Sequence, residues 1–328
     1  MKQTWASWYE PPQIQDWSGR KEETVCRYYQ IIHCLDLTKQ EAWESLSSRK
    51  TKVIILGFCS DEGVKRNQGR VGAKEGPTQL RNKFGKLPLH FLGHDFDIVD
   101  GGNITCNGDL EASQTALGHL ICEIRRRGIL PIVLGGGHET AWGHYLGLHE
   151  TAGEAFGIIN FDAHLDMRPL AQHPAVGTSG TSFLQIAEMR KKSQLPFHYA
   201  CLGLQMTGNA DALFQTMTTW GVKPVFAKDW FLKPDRVKEV IQYYVQNFDS
   251  LYVSICLDVF SESVAPGVSA PSALGLFPYH VIFPLQKLAE SGKIIGLDIV
   301  ELAPNLDQND QTARLGASLL AEFLYCLK

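Results

Sequence analysis

Residues 156–166 read FGIINFDAHLD, and this stretch decides the fold of the chain. Positions 156–161 are mostly apolar and predict a buried strand. Because alternate side chains of extended backbone point the same way, Asp162, His164 and Asp166 would leave the end of this strand together. Two carboxylates and an imidazole that converge on one point are what a metal ion requires, whereas packing requires none of them.

Two other apolar runs end in residues of the same kind. Residues 129–134 are followed by three glycines, His138 and Glu139, and residues 251–257 carry Cys256 and lead into Asp258. In open α/β sheets, ligands bind beyond the carboxyl ends of the strands. The three segments therefore predict one site at the carboxyl edge of a sheet. The side chains that would meet there are those of His138, Asp162, His164, Asp166, Cys256 and Asp258.

The rest of the chain alternates between strand and helix patterns. Strands are predicted at 52–58, 96–99, 129–134, 156–162, 198–204, 223–227, 251–257 and 293–300. Helices are predicted at 76–84, 109–127, 138–149, 182–193, 208–220, 234–248, 278–291 and 311–327. Such alternation is typical of a parallel sheet with helices on both faces. We therefore predict an α/β fold with three α/β/α layers and a mostly parallel sheet.

Residues 1–50 differ from the rest, because they are polar and carry several tryptophans and prolines. We predict an irregular N-terminal arm that packs its aromatic side chains on the body of the chain or on a neighbouring subunit. No linker-like, repeated or low-complexity segment divides the remainder. Residues 51–328 are therefore predicted to form a single domain.

Composition argues against several classes of function. The formal net charge of −4 gives no reason to expect nucleic acid or an anionic membrane as a partner. The eight cysteines are scattered and none form a Cys-x-x-Cys pair, which is typical of reduced thiols. The N-terminal sequence lacks an apolar signal core, and no apolar stretch is long enough to span a bilayer. These features predict a soluble protein of the cytoplasm.

Three segments resemble the signature motifs of the arginase/agmatinase (ureohydrolase) family. They are the glycines with His138 and Glu139, the stretch NFDAHLDMR at 160–168, and SICLDVF at 254–260. Glu139 and Arg168, together with the loops 69–77 and 265–271, resemble the formimidoylglutamase subfamily most. The resemblance runs from about Trp17 to the C-terminus and implies an arginase-like fold.

The resemblance also implies two Mn²⁺ ions per chain. In the family pattern His138 and Asp166 would hold the first ion, and His164 and Asp258 the second, with Asp162 shared between them. Carboxylate oxygens with a minority of imidazole suit Mn²⁺ better than Zn²⁺. Two ions held close together acidify a shared water. Asp166 is the more plausible proton acceptor, because it can both bind metal and hydrogen-bond that water.

Cys256 departs from the family pattern, which has an Asp that bridges both ions at this position. A thiolate can bridge two metals, but it is softer than a carboxylate and favours Zn²⁺, Fe²⁺ or Co²⁺. Three outcomes stay open: a thiolate-bridged centre, a centre with one weakened ion, or a chain that binds no metal. The alternative is that Cys256 is a small buried residue with no ligand role.

Four more residues are candidates for contact with substrate. By resemblance, Glu301 at the end of the last strand would pair with a cationic amidine and orient its carbon. Arg168 is a candidate for bidentate binding of a substrate carboxylate, with Ser179 and Thr181 as hydroxyl partners. The structural alternatives are a surface salt bridge for Arg168 and a helix cap for Ser179 or Thr181.

The resemblance implies metal-dependent hydrolysis of N-formimidoyl-L-glutamate to L-glutamate and formamide, a reaction of histidine degradation. A guanidine hydrolase such as an agmatinase is the alternative enzyme, although Arg168 would repel a dicationic substrate. A catalytically silent, metal-poor protein is the third possibility, because of Cys256. The expected partners are a small-molecule substrate and further copies of the chain, in a trimer or hexamer.

Overall fold

The computed structural model describes residues 3–20, 24–48, 51–90, 97–170 and 176–327. Its strands are β1 (Tyr9–Glu10), β2 (His33–Cys34), β3 (Thr51–Cys59), β4 (Asp97–Thr105), β5 (Leu130–Gly135), β6 (Phe156–Phe161), β7 (His198–Leu204), β8 (Lys223–Phe226), β9 (Ser250–Cys256) and β10 (Ile294–Val300). They form one sheet in the order β1-β4-β3-β5-β10-β9-β6-β7-β8, and β2 lies beside β4. The pairing of β1 with β4 is antiparallel, and the other ladders are parallel.

Helices cover both faces of this sheet. They are α1 (Gln40–Ser48), α2 (Glu62–Arg66), α3 (Gly76–Phe84), α4 (Leu110–Arg125), α5 (Thr140–His149), α6 (Ser182–Lys192), α7 (Asp211–Thr219), α8 (Asp229–Leu232), α9 (Pro234–Asn247), α10 (Pro278–Glu290) and α11 (Gln311–Tyr325). Helices α3, α9, α10 and α11 pack on one face, and α1, α4, α5 and α6 pack on the other. The mostly parallel three-layer α/β/α fold that the sequence predicts is confirmed.

The apolar runs form strands here because both faces of the sheet are buried. Val53 and Ile55 of β3 belong to the core under α3, whereas Ile54 and Leu56 belong to the core under α4. A strand that is covered on both sides gains from an apolar residue at every position, so its sequence reads as a continuous apolar run.

The predicted strand at 96–99 is too short. Phe96 lies outside the described residues, and β4 continues from Asp97 to Thr105. Its second half contains Asp100, two glycines and Asn103, which obscure the strand pattern in the sequence. These polar side chains are buried and paired, so tertiary contacts override the local pattern.

Asp100 and Asn103 belong to a buried set of polar contacts, here called the Arg81 network. Arg81 Nη2 lies 2.9 Å from Asp100 Oδ1, and Arg81 Nη1 donates to Asn103 Oδ1 at 2.7 Å. Trp17 Nε1 donates to the second oxygen of Asp100 at 2.7 Å. The network thus joins the N-terminal segment, α3 and β4 around one ion pair, which is only 1% and 0% exposed.

The N-terminal segment is not irregular throughout, because it contains the nine-residue helix α1 and two short strands. Trp5, Trp17 and Trp43 are buried against the same chain: Trp5 Nε1 donates to Glu123 at 3.2 Å, and Trp43 of α1 lies in the core beside α4. Tyr9 of β1 is the ladder partner of Ile104. The division of the chain at residue 50 stays a prediction.

The four central strands β5, β10, β9 and β6 bring their carboxyl ends to one place. The ladder partners Leu134 and Ile299, Val300 and Cys256, and Phe161 and Ile255 show that these strands end nearly level. Residues that follow them are therefore neighbours in space, although they are distant in sequence. Within the described residues, we find no helix with the length and apolarity that a bilayer crossing requires.

Candidate metal centre

Two groups of ligand-type side chains meet beyond these strand ends. In each group, one ligand atom per residue lies within 4.8 Å of the others. His138, Asp162 and Cys256 form the first group, and Asp162, His164 and Asp258 form the second. All are buried except His164, whose side chain is 22% exposed. The structure therefore places the predicted ligands together, with Asp162 common to both groups.

The ring of His138 is oriented by contacts behind it. His138 Nε2 lies 3.0 Å from Ser254 Oγ, and Ser254 Oγ donates to Asp298 Oδ1 at 2.5 Å. Because a carboxylate only accepts, the serine must give its own hydrogen to Asp298 and accept one from Nε2. The lone pair of a neutral His138 is then on Nδ1, the atom that faces the cluster.

His138 Nδ1 lies 3.1 Å from Asp162 Oδ2 and 2.8 Å from Asp166 Oδ2. A lone pair cannot face two carboxylates at these distances without a proton or a cation between them. Burial acts to lower the pKa of His138, but hydrogen bonds and the charges of the two carboxylates outweigh it and raise that pKa. A divalent ion would satisfy the same atoms, so this half of the site fits a metal.

The second group also places an imidazole close to two carboxylates. His164 Nδ1 lies 3.1 Å from Asp258 Oδ2 and 3.6 Å from Asp162 Oδ1. Asp258 Oδ1 is buried and has no hydrogen-bond partner among the described residues. Burial raises the pKa of Asp258; the charge of His164 opposes this and the charge of Asp162 adds to it, and on balance the pKa is raised, so the site disfavours the ionised form.

The loop that carries Asp162, His164 and Asp166 is held at its backbone. Asn209 accepts from Leu165 N–H at 3.1 Å and donates to the carbonyls of Ala163 and Gln205 at 2.9 and 2.8 Å. Tyr199 donates to Leu165 O at 3.1 Å. Asp166 has a left-handed backbone (φ 48°), a conformation that costs energy for a residue with a side chain. These contacts stabilise that strained turn.

Glu301 also lies beside this cluster of ligand side chains. It follows β10, its backbone is also left-handed (φ 70°), and its Oε1 accepts from His138 N–H at 2.7 Å. Burial raises the pKa of Glu301 well above its usual value, and the charges of Glu139 and Asp258 raise it further. A cationic group brought beside this carboxylate would be strongly favoured.

Glu139 is a buried carboxyl that was not predicted to belong to the site. Its Oε1 accepts from Ser60 Oγ at 2.8 Å and from Gly63 N–H at 3.0 Å, and so fixes the start of α2. Burial raises its pKa to about 7. Gly137 is required beside it, because a Cβ there would lie 2.1 Å from Glu139 Oε2.

A cavity of about 350 Å³ opens over the cluster. Its floor is formed by His138, His164, Asp166, Cys256, Asp258 and Glu301. Its walls include the loop at 67–70, Arg168, Ser179 and the loop at 269–270. The predicted catalytic and metal-binding residues therefore line this cavity, apart from Asp162, which lies beneath it.

The two arginines of the wall differ in their contacts. Arg70 donates to the carbonyls of Ser269 and Val268 at 2.9 and 2.7 Å, so it joins two loops of the cavity mouth. Arg168 is exposed, its stem lies against Gly180, and its guanidinium makes no hydrogen bond to the described residues. Arg168 is thus the wall cation that remains available for a ligand.

The two hydroxyl residues also differ. Ser179 lines the cavity and its Oγ accepts from Asn67 Nδ2 at 3.3 Å. Thr181 is buried beyond the wall, where it accepts from Thr178 N–H at 2.8 Å and lies 2.9 Å from Gln185 Oε1. Thr181 therefore holds the turn before α6 and does not reach the cavity, contrary to the prediction from sequence.

Sequence reasoning missed three residues that support the site. Ser254 is inside a quoted motif, but its contact with His138 depends on the alignment of β9 with β5 and β10. Asp298 is a carboxylate in the middle of an apolar strand, which is a recognisable signal of a buried polar contact. Asn209 gives no such signal, because it lies in an ordinary polar loop.

Comparisons with known proteins show which family the chain resembles. The model of the arginase family matches residues 51–326. A formimidoylglutamase from Legionella pneumophila (strain Lens) is 41% identical over 319 residues, which cover 96% of this chain and 97% of that protein. A formimidoylglutamase from a Geobacillus species is 40% identical over 324 residues and covers 96% of each chain.

Solved structures are similar as well. A crystal structure of a formiminoglutamase variant from Trypanosoma cruzi with Mn²⁺ has a TM-score of 0.75 and 25% identity, and the match covers 85% of this chain and 93% of that chain. The formimidoylglutamase from Bacillus subtilis has a TM-score of 0.80 at 21% identity, covering 94% and 93%, which shows a shared fold.

Proposed function

The chain belongs to the arginase family, and we propose that it hydrolyses N-formimidoyl-L-glutamate to L-glutamate and formamide. The observation that carries this proposal is the composition of one cavity. Its floor combines a cluster of metal-ligand side chains with the buried carboxylate of Glu301, and its wall presents the guanidinium of Arg168, which makes no hydrogen bond to the described residues. The substrate has the complementary groups, a cationic amidine at one end and carboxylates at the other.

Two divalent cations belong to this proposal. His138, Asp162, Asp166 and Cys256 would hold one, and Asp162, His164 and Asp258 would hold the other. Mn²⁺ is the ion to test first, because a similar solved structure contains it. When bound, such ions act as Lewis acids and lower the pKa of a water beside the carbon that is attacked.

Glu301 binds and orients the amidine. Its Oε1 already accepts from His138 N–H, so the carboxylate is fixed before substrate enters. An amidinium carries N–H donors in one plane, which match the two oxygens of a carboxylate. This contact places the amidine carbon over the cluster. The energetic cost of burying and orienting Glu301 is met when the protein folds, before substrate binds.

Asp166 is assigned as the proton acceptor of the attacking water. Its side chain lines the cavity, and one of its oxygens is 2.8 Å from His138 Nδ1. The held turn of Leu165 keeps the carboxylate at this place. A proton taken up by Asp166 can then pass to the departing nitrogen, which completes the release of L-glutamate.

Arg168 selects the acidic end of the substrate. A guanidinium binds a carboxylate through two parallel hydrogen bonds, and this one has no competing partner among the described residues. Ser179 offers a hydroxyl on the same wall. The agmatinase alternative is not favoured, because Arg168 would repel the second cation of agmatine and because the relatives above are named formimidoylglutamases.

The test is a paired assay on one purified sample. After Mn²⁺ loading, we expect about two metals per chain and formamide release from N-formimidoyl-L-glutamate, with no urea release from agmatine. Metal-stripped protein is the control and should be inactive. Turnover of agmatine alone would refute the proposed substrate, and bound metal without turnover of either would support the silent alternative. Light scattering on the same sample tests the proposed trimer or hexamer.

A further inference from the structure

Cys256 is the one metal-ligand side chain whose chemistry differs from its neighbours. It ends β9, is 1% exposed, and lines the floor of the cavity. Its sulfur belongs to the group with His138 and Asp162, in which all ligand atoms lie within 4.8 Å. The group with His164 and Asp258 contains no sulfur.

The surroundings of Cys256 are not those of a cysteine that only fills space. Buried thiols usually pack among apolar side chains. Here the charged neighbours are Asp162, Asp258, Glu301 and Asp166. A neutral thiol is a weak hydrogen-bond donor and offers these carboxylates little stabilisation. A sulfur placed among unsatisfied ligand atoms is therefore better explained as a ligand itself.

The two halves of the centre consequently differ in softness. The first combines an imidazole and a thiol with the carboxylates of Asp162 and Asp166. The second combines an imidazole with the carboxylates of Asp162 and Asp258. Thiolate favours Zn²⁺, Co²⁺ or Fe²⁺, whereas carboxylate oxygens suit Mn²⁺. Asp162 is shared, so the sulfur is what distinguishes the first half from the second.

We infer that the centre is asymmetric: Cys256 binds the ion at the His138 position as a thiolate, and this position takes a softer divalent ion than the His164 position does. This inference rests on the proposed function for the presence of two ions. It adds which divalent ion each position prefers, and it predicts that a centre with two different metals is the most stable form.

Cobalt(II) gives a direct readout that does not depend on turnover. A thiolate bound to Co²⁺ produces a sulfur-to-metal charge-transfer band in the near ultraviolet, whereas oxygen and nitrogen ligands do not. We expect this band when the metal-stripped protein is titrated with CoCl₂. Cys256→Ser should bind Co²⁺ without the band, and Cys122→Ser, which alters a buried thiol on α4, should keep it. Absence of the band from cobalt-loaded native protein would overturn the inference.

The position of the sulfur is tested with variants of the two histidines. His164→Asn should lose one ion and keep the charge-transfer band, whereas His138→Asn should lose the band. Far-ultraviolet circular dichroism checks that both variants fold. Loss of the band in His164→Asn alone would place the thiolate on the other ion and refute the asymmetry.

Competition measures the preference itself. Most sites bind Zn²⁺ more tightly than Mn²⁺, so the comparison must be with Cys256→Asp and not with an absolute scale. With one equivalent of Zn²⁺ and excess Mn²⁺, elemental analysis should find about one of each per chain in the native protein. Cys256→Asp should lower the Zn²⁺-over-Mn²⁺ preference, because it replaces a soft thiolate with a carboxylate that suits Mn²⁺. An unchanged preference would contradict the inference.

These measurements separate the two proposals. Turnover of N-formimidoyl-L-glutamate with two Mn²⁺ and no charge-transfer band would keep the proposed function and refute the asymmetry. A band with the expected competition result, but no turnover, would keep the asymmetric centre and refute the proposed function.

Discussion

The Arg81 network and the metal centre are both buried sets of charged side chains, but their charges are balanced differently. In the Arg81 network one carboxylate, Asp100, faces one guanidinium and also accepts from Trp17. In the metal centre several carboxylates face only two imidazoles, and Asp258 Oδ1 has no partner among the described residues. A balanced cluster indicates a structural role, whereas a surplus of buried carboxylate indicates that a cation is part of the site.

The largest expected effect comes from unbalancing the Arg81 network. Asp100→Asn leaves the Arg81 guanidinium buried without its counter-charge, which costs about 3–5 kcal/mol of the free energy of unfolding. Chemical denaturation monitored by circular dichroism measures this loss. The exposed Asp249→Asn is the matched control and should stay within about 0.5 kcal/mol of the native protein. A loss no larger than that of the control would show that the pair contributes nothing.

Arg168 extends this comparison to function. Arg168→Met removes a guanidinium that has no partner among the described residues, so stability should be unchanged. The loss of a charge-assisted contact to substrate is worth about 1.5–3 kcal/mol, so kcat/KM for N-formimidoyl-L-glutamate should fall by roughly 10- to 100-fold. Steady-state assays at constant metal content measure this. Arg126→Met, at the exposed end of α4, should leave kcat/KM unaltered; an equal fall there would remove the specific role of Arg168.

The sequence predicted the fold because the central strands are covered on both faces and therefore read as continuous apolar runs. It failed at β4, where Asp100 and Asn103 sit in a strand only because Arg81 from α3 pairs with them. Polar strand residues whose partners are distant in sequence cannot be recognised from local pattern. Helix α1 was missed for a different reason, because its amphipathic face is short and lies within a polar segment.

For the site, the sequence supplied the residues, and the resemblance supplied the expected roles. Strand alternation grouped Asp162, His164 and Asp166 for the wrong reason, because β6 ends at Phe161 and these side chains meet through a bent loop in which Asp166 is left-handed. The meeting of Glu301 with His138 depends on β10 lying beside β5, which no local pattern shows. Thr181 was misplaced because a hydroxyl in a loop looks the same whether it faces a cavity or holds a turn.

A smaller effect is expected from the contact behind His138. Ser254→Ala removes the acceptor that fixes the hydrogen on Nε2, and such outer contacts typically change metal affinity by about 10- to 100-fold. Isothermal titration of metal-stripped protein with Mn²⁺ measures this change. Ser113→Ala removes a buried hydroxyl that bonds only to Leu110 O on α4, and it should leave the affinity as it is. Equal affinities for Ser254→Ala and native protein would refute this role.

The smallest expected effect is a gain in stability for Asp166→Asn, opposite in sign to the loss expected for Asp100→Asn. In excess chelator, Asp166→Asn should stabilise the chain by about 1 kcal/mol, because it removes one surplus carboxylate and because asparagine tolerates left-handed backbone. Burial raises the pKa of Asp166, which agrees with this sign. Thermal unfolding in chelator measures the gain, and the same variant should lose activity when metal is restored. Destabilisation in chelator would show that the surplus charge is compensated by contacts other than a metal.

The order of the strands also determines when during folding the centre can form. His138 and Glu301 are 163 residues apart and meet only after β10 has inserted between β5 and β9. Contacts across so long a loop form late, because the chain must first lose the entropy of closing it. Interactions that are absent from the folding transition state change the rate of unfolding and leave the rate of folding almost unaltered. A bound metal should therefore slow unfolding and lengthen the lifetime of the folded chain, without increasing the rate of folding.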